Sequence, residues 1–312
     1  MTHYFHTQYV RIGSILPLFF LLLGTPVAQG ASISLTDDTG RAITLPAPAR
    51  KIIALYGGFN EILAAMGLEN RLIARTNADT EPPSIRTLPA VGTHMRPNPE
   101  LIAGLGPDCI LQLGGRTQAM ETGLALERLG LPVIFFQPSN FTELFDVIRR
   151  IGTITGEPDR ADQLIATMRG RLQAVAQAVQ AEKDHHIPSV FFEVRYPNLL
   201  GAGATSIVTD IIRHAGGNNV LQSDTKFVRL NEEELLRLNP EIYVVQRGPM
   251  NPESPLPAER PHFRTLRAVT DGNVLVVDEH IFSRPGPRAT EAVEQLARFL
   301  HPQAFSPSPH TR

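Results

Sequence analysis

Residues 98–108 read NPELIAGLGPD, and residues 231–241, 133 positions later, read NEEELLRLNPE. The two stretches share Asn, Glu, Leu and Pro at corresponding positions, and each leads directly into an apolar run. An Asn that caps a short helix, an early Glu and a Pro that stops the helix describe one local unit of structure. The repeat therefore predicts two related lobes, with chance similarity between such units as the alternative.

Short apolar runs that suit buried strands occur at 51–55, 110–113 and 133–136. The same pattern returns in the second half of the chain at 189–194, 242–245 and 273–277. Helical stretches separate these runs, which is typical of βα units on a parallel sheet. The predicted fold class is α/β, with two lobes of mainly parallel sheet joined by a single long backbone helix.

The stretch from Pro158 to about Ala181 links the two groups of strands. Apolar residues recur in it at spacings of three and four, which predicts one helical stripe, and Pro158 suits the first helical position. The predicted boundaries are a signal peptide at 1–30, an N-terminal lobe at 31–157, a connecting backbone helix at 158–184, a C-terminal lobe at 185–301 and a disordered tail at 302–312.

The N-terminus has the order of a secretory signal peptide: Arg11, an apolar run at 12–23, then small residues before position 31. The run is too short for an anchoring transmembrane helix, which needs about 20 apolar residues. The single cysteine, Cys109, lies far from the predicted cleavage site. We therefore expect a soluble, exported protein without a lipid anchor.

Composition excludes several classes of protein. The chain has 312 residues, and 31 acidic residues against 29 basic ones give no broad basic footprint for nucleic acid. One cysteine rules out a disulfide framework and argues against a cysteine-based structural zinc site. The chain has no Trp, which limits how a large flat ligand could be gripped by stacking.

Several motifs follow one another along the predicted mature chain: DDTGRAITL at 37–45, PARKIIAL at 48–55, VGTH at 91–94, the two copies of the repeat, and GAG at 201–203 with AGG at 215–217. Their order and spacing resemble those of periplasmic substrate-binding proteins of the helical-backbone class. That family serves ABC importers of ferric siderophores, haem and cobalamin. The resemblance implies two α/β lobes bridged by one helix, with the ligand in the cleft between them.

The resemblance also implies one surface glutamate in each lobe that docks on the permease dimer at the inner membrane. The matching positions are Glu100 and Glu233, with Glu232 and Glu234 as alternatives to the latter. A carboxylate in the first turn of a helix is favoured by the helix dipole and can pair with Arg. A plain helix-start role is the alternative for each of these residues.

Candidate ligand-binding residues follow or flank the predicted strands, because ligands of open α/β folds sit beyond the carboxyl ends of strands. These candidates are Tyr56, His94, Arg96, Arg195, Tyr196, Phe227, Arg284 and Arg288. Each also has a structural interpretation, such as a Tyr at a core edge, a hydrogen-bonded His or an Arg that supports the last helix. Taken together they predict a positively charged pocket with a few aromatic or imidazole groups.

Guanidinium groups bind carboxylates bidentately, so the sequence predicts an anionic iron chelate, siderophore-like, as the ligand. Haem is an alternative, because a Tyr or His side chain could ligate its iron. A corrinoid such as cobalamin is a further alternative, weakened by the absence of Trp.

We expect no enzymatic activity, because the chain lacks a P-loop ending, a Gly-x-Ser-x-Gly elbow and a His-Glu-x-x-His motif. We also expect no cofactor, no resident metal, no nucleic acid partner and a monomeric state. A periplasmic enzyme and a free-metal receptor on a related fold remain more distant alternatives.

Overall fold

The computed structural model describes residues 1–4, 32–182 and 186–306. The predicted signal peptide, apart from residues 1–4, lies outside the described residues. The same is true of 183–185, at the predicted end of the backbone helix, and of 307–312 in the predicted tail. The described chain from Ser32 onward belongs to one compact unit. Among the described residues, every helix is too short or too polar to cross a bilayer.

The N-terminal lobe is built on a fully parallel sheet. Its strands and helices are β1 (Ile33–Thr36), β2 (Ala42–Leu45), β3 (Ile52–Ala54), α1 (Gly57–Ala65), β4 (Leu72–Ala74), α2 (Pro99–Leu105), β5 (Cys109–Leu113), α3 (Thr117–Arg128), β6 (Val133–Phe136) and α4 (Phe141–Thr155). The sheet order is β4-β3-β5-β6, and β1 and β2 form a separate antiparallel hairpin. The strands are short and apolar because both faces of the sheet are covered.

A single helix, α5 (Pro158–Gln180), connects the lobes. Its buried stripe runs from Ala161 to Val179, and Pro158 occupies the first turn, as the sequence predicts. At 1.5 Å per residue it is about 34 Å long, enough to span both lobes. It packs against α4 on one side and against the last helix of the C-terminal lobe on the other.

The C-terminal lobe has a mixed sheet. Its elements are β7 (Ser189–Arg195), β8 (Leu200–Ala202), α6 (Ile207–His214), β9 (Asn218–Asn219), β10 (Phe227–Arg229), α7 (Glu232–Leu238), β11 (Ile242–Arg247), α8 (Arg267–Thr270), β12 (Val274–Asp278), α9 (Glu279–Phe282) and α10 (Ala289–Leu300). The order is β10-β8-β7-β11-β12, with β9 beside the start of β7. Strands β7, β11 and β12 are parallel, whereas β8 and β10 are antiparallel.

The two copies of the sequence repeat form the same local structure. Asn98 caps α2 by accepting a hydrogen bond from the Leu101 amide at 3.1 Å. Asn231 caps α7 in the same way, by accepting a hydrogen bond from the Glu234 amide at 2.7 Å. Both helices end in a left-handed residue, Gly106 and Asn239. Each is followed by a buried strand, β5 or β11. The capping and stop signals in the sequence thus set the position of one short helix in each lobe.

One apolar cluster runs through the whole unit. It includes Ile148 of α4, Ile165 of α5 and Ile211 of α6, so the backbone helix shares its core with both lobes. Cys109 is fully buried on β5, and burial raises the pKa of its thiol to about 12.

Residues 302–306 form turns and a bend, and Phe305 packs against the core because its ring has apolar surface to bury.

Candidate functional site

A concave cleft lies where the carboxyl ends of the two central sheets face each other. It divides into two adjoining cavities of about 190 Å³ and about 730 Å³. The five residues that line both cavities come from both lobes: Leu113, Arg116, Lys226, Phe227 and Met250. The cleft therefore lies beyond the carboxyl ends of the strands, where open α/β folds bind their ligands.

Tyr56 and His94 form an aromatic wall on the N-terminal side. Tyr56 stands between β3 and α1, and its ring lies edge-on to that of His94, with centroids 6.3 Å apart. Burial raises the pKa of the Tyr56 hydroxyl to about 12, so this group is a neutral phenol at physiological pH. Burial and then Arg116 lower the pKa of His94, which keeps its imidazole neutral as well. The wall offers a hydroxyl, an unprotonated ring nitrogen and aromatic surface.

The loop that carries His94 is held from behind. Gln112, buried on β5, donates a hydrogen bond from Nε2 to the His94 carbonyl at 3.0 Å, and Thr122 of α3 donates to the Met95 carbonyl at 3.2 Å. Gly92 has φ of 99° and approaches the Arg96 carbonyl too closely for a side chain. The backbone of His94 is therefore held by contacts of its loop with β5 and α3, and its side chain is not needed to hold the loop.

Three cations without a carboxylate partner converge on the cleft. Arg116 precedes α3, Arg195 ends β7 and Lys226 precedes β10, so both lobes contribute. In the described ranges, no carboxylate lies within ion-pair distance of these three groups, and the buried Nε of Arg195 has no hydrogen-bond partner. The Lys226 side chain reaches water but is crowded by protein, and this burial, with Arg116 second, lowers its pKa.

Carboxylates that line the cleft are already engaged by the protein. Asp79 accepts hydrogen bonds from Thr76 Oγ1 at 2.7 Å and from Asn60 Nδ2 at 3.2 Å. Glu279 accepts from the Met250 amide at 2.7 Å. The cavity linings hold more cations than carboxylates, so their net charge is positive and suits a ligand with anionic groups. The cations are Arg116, Arg195, Lys226 and Arg284, and the carboxylates are Asp79, Glu143 and Glu279.

The eight predicted ligand-binding residues separate into two groups. The residues that line the cavities are Tyr56, His94, Arg195, Phe227 and Arg284. The residues that line neither cavity are Arg96, Tyr196 and Arg288. The cavities also contain Arg116, Lys226 and Met250, which the site prediction omitted.

Each of the three residues outside the cavities has a different environment. Arg96 is exposed at the tip of the His94 loop. Tyr196 is half-buried and packs against the core of the C-terminal lobe, edge-on to Phe263 with ring centroids 5.9 Å apart. Arg288 forms two hydrogen bonds to Glu61 of α1, at 2.7 Å and 3.1 Å, and does not face the ligand space.

A buried ionic network supports the C-terminal wall. Glu193 of β7 is fully buried and accepts hydrogen bonds from Arg260 at 2.9 Å, from the Tyr243 hydroxyl at 2.5 Å and from Asn251 at 3.1 Å. Burial and then Glu193 raise the pKa of Tyr243 well above 10. The Arg260 guanidinium also lies 3.8 Å from the ring centre of Tyr196, next to Arg195. The network thus fixes the strand end that presents Arg195.

The predicted docking residues occupy equivalent positions in the two lobes. Glu100 and Glu233 are each the second residue after the Asn cap of their helix, and both are exposed. Glu232 and Glu234, the alternatives, are half-buried. Exposure and register both favour Glu233 as the counterpart of Glu100.

Within the described residues, no three His, Cys, Asp or Glu side chains are grouped so as to hold a metal ion. The cleft therefore offers isolated groups, such as the His94 imidazole, rather than a ligand set for a bare ion.

Comparison with known proteins places these features in context. The family model for periplasmic binding protein matches residues 52–302. The uncharacterized ABC transporter substrate-binding lipoprotein YvrC of Bacillus subtilis is 26% identical over 88% of this chain and 87% of its own. The cobalamin-binding protein of Halobacterium salinarum is 26% identical over 85% of this chain and 73% of its own.

Among solved structures, the periplasmic heme-binding protein RhuT from Roseiflexus sp. RS-1 is similar in fold. The two have a TM-score of 0.69 with 20% identity, and the match covers 82% of this chain and 99% of RhuT. The family match extends from β3 past the end of α10 and so includes both walls of the cleft. This chain belongs to the periplasmic binding protein family.

Proposed function

We propose that the protein is the receptor of an ABC importer and that it captures a bulky, anionic iron chelate in the cleft between its lobes. The observation that carries this proposal is the set of three unpaired cations, Arg116, Arg195 and Lys226, contributed by both lobes. Carboxylates and similar groups on a chelate form charge-assisted hydrogen bonds with such cations. The aromatic wall of Tyr56 and His94 would contact the body of the chelate.

A siderophore-like ferric chelate and haem both match this chemistry, since both carry anionic groups around an iron centre. Haem has the further support that a neutral His94 imidazole could serve as an axial ligand. A corrinoid is the second candidate, because the matching relative from Halobacterium salinarum is named a cobalamin-binding protein. With no Trp in the chain, Phe227 and Tyr56 would have to supply the flat contacts.

Calorimetric titration with three probes tests this proposal: haemin, a ferric tricatecholate siderophore and cyanocobalamin. Calorimetry is suitable because the chain contains no Trp to report binding by fluorescence. We expect tight binding of one of the two anionic iron chelates. Binding of cyanocobalamin alone would support the second candidate, and binding of none would contradict the proposal.

The cationic contribution is tested by Arg116→Gln and Lys226→Gln. A hydrogen bond to a charged group is worth about 1.5–3 kcal/mol, so each change should weaken binding by about tenfold or more. Arg128→Gln is the matched control, because Arg128 is exposed at the far end of α3 and lines neither cavity. Equal losses in control and test variants would count against a direct role for the cleft cations.

Delivery to the permease is the second half of the proposal, with Glu100 and Glu233 as docking residues. The pair Glu100→Lys and Glu233→Lys should abolish uptake by whole cells while ligand affinity stays unchanged. Glu121→Lys on the exposed face of α3 is the control. Normal uptake in the double variant, or lost ligand affinity, would contradict docking through these two helices.

We further infer export without a lipid anchor, although the relative YvrC is named a lipoprotein. The cysteine of this chain, Cys109, is buried on β5 and unavailable for lipidation. Detergent phase partitioning of the exported protein tests this inference, and recovery in the detergent phase would overturn it.

A further inference from the structure

A four-charge cluster joins the two lobes at the floor of the cleft. Glu61 projects from α1 of the N-terminal lobe, and Arg284 and Arg288 project from the segment that follows α9 in the C-terminal lobe. Glu61 accepts two hydrogen bonds from Arg288, at 2.7 Å and 3.1 Å, and lies 3.4 Å from Nη1 of Arg284. Asp79 completes the cluster, 3.8 Å from the same Nη1. Two negative and two positive charges balance across the lobe boundary.

Close backbone packing surrounds this cluster. Gly57 and Gly58 open α1, and a side-chain carbon at either position would collide with the C-terminal lobe: with the Arg284 guanidinium at Gly57 and with the Pro285 carbonyl at Gly58. Gly286, the residue after Pro285, also lies against Gly58. The first turn of α1 therefore forms a second junction between the lobes, in addition to the backbone helix.

The two arginines differ in what they can do. Arg288 is held bidentately by Glu61 and does not line the ligand space, so its contacts serve the junction. Arg284 makes only longer contacts with Glu61 and Asp79, bonds His280 Nδ1 at 2.9 Å, and lines the smaller cavity. Its guanidinium is thus accessible to a ligand while neighbouring carboxylates hold it in place.

We propose that Glu61 is a positioning residue of the cleft. Through Arg288 it fastens the C-terminal lobe to the N-terminal lobe, and through Arg284 it holds a fourth cation at the cleft floor for an anionic group of the ligand. The part that concerns the ligand rests on the proposed function, whereas the part that concerns the junction does not. Because only about 8% of Glu61 is exposed, its loss leaves two guanidinium groups facing each other with little solvent to separate them.

The junction is tested without ligand by measuring the distance between two spin labels. Glu121→Cys on α3 and Asp224→Cys near β10 place the labels at exposed sites on opposite lobes, and buried Cys109 leaves the background unlabelled. We expect one narrow distance distribution for the otherwise unchanged protein. Glu61→Gln should broaden it by several ångström, and Glu61→Asp should restore most of the narrow distribution by returning the charge.

Arg288→Gln tests the same junction from the other lobe. Its side chain is 31% exposed, so it tolerates replacement better than Glu61, and it should also broaden the distribution. Arg171→Gln is the matched control, because Arg171 pairs bidentately with Glu294 at 2.7 Å and 2.8 Å, away from the cleft. An unchanged distribution in Arg288→Gln, or equal broadening in the control, would overturn the junction role.

The role toward the ligand is tested with haemin as the probe, and with the ferric tricatecholate if only that chelate binds. Glu61→Gln should weaken binding at least tenfold, with Glu61→Asp recovering most of the affinity. Unchanged affinity in Glu61→Gln would refute this role. If neither chelate binds any variant, the proposed function fails, while the spin-label distances still decide whether the junction exists.

Discussion

Replacing Arg260 with Met removes one half of an ion pair that almost no solvent reaches. The Arg260 and Glu193 side chains are 2% and 0% exposed, and Glu193 keeps only its hydrogen bonds from Tyr243 and Asn251 after the change. Breaking a buried pair in this way costs about 3–5 kcal/mol, because a charge is left without its partner. In a chain of this size that loss lowers the midpoint of thermal unfolding by about 10 °C.

Denaturant unfolding followed by circular dichroism measures the effect. Glu193→Gln keeps an oxygen for Tyr243 and Asn251 but removes the charge, so the double variant with Arg260→Met should be more stable than Arg260→Met alone. Arg267→Met, which breaks a pair whose arginine is 55% exposed, should cost less than about 1 kcal/mol. The reasoning is refuted if Arg260→Met lowers the free energy of unfolding as little as Arg267→Met does. It is also refuted if the losses of stability in Arg260→Met and Glu193→Gln simply add in the double variant.

Three shorter predictions concern other sites. Gly57→Ala should weaken haemin binding and lower the stability of the fold, because the added methyl group collides with Arg284. Calorimetry measures the binding and thermal unfolding measures the stability. Wild-type affinity together with wild-type stability would contradict the close packing at Gly57. Cys109, whose thiol pKa burial raises to about 12, should resist iodoacetamide at pH 8 in the folded protein and react only in denaturant, whereas rapid labelling of the folded protein would count against its burial. Because the pKa of His94 is lower in the folded protein, protonation favours the unfolded chain, and the contribution of His94 to stability falls as the pH drops below about 6.5. Arg116→Gln should raise the pKa of His94 in a proton NMR titration. An unchanged pKa in that variant would contradict an electrostatic effect of Arg116 on His94.

Local signals in the sequence predicted the parts of this fold that depend on local physics. The Asn98 and Asn231 caps, each with a left-handed helix stop and a following strand, form the same type of capping hydrogen bond in both lobes. The apolar stripe of the backbone helix is buried as its periodicity predicts. These features need only neighbours a few residues apart, and such neighbours are visible in a sequence.

Long-range contacts explain why Arg288 and Tyr196 line neither cavity, and strand direction explains why Lys226 was not predicted. Arg288 was predicted to bind the ligand because its partner Glu61 lies 227 positions earlier, and no spacing rule in the sequence reveals that pair. Tyr196 follows a strand as expected, but the Arg260 guanidinium covers its ring. Lys226 was missed because it precedes the antiparallel strand β10, whereas the site rule looks beyond the ends of parallel strands.

The three unpaired cations of the cleft also bear on how fast an anionic ligand of the kind proposed would be captured. Positive charges at the base of a concave, low-dielectric surface focus their field outward through its mouth, and such focusing can raise the rate of encounter with an anion by about tenfold or more. Because Arg116 stands on one wall and Arg195 and Lys226 on the other, the field is directed along the gap itself. An anionic ligand of the kind proposed would then be guided toward the gap before any contact forms, and its selection would begin in the solution outside the protein.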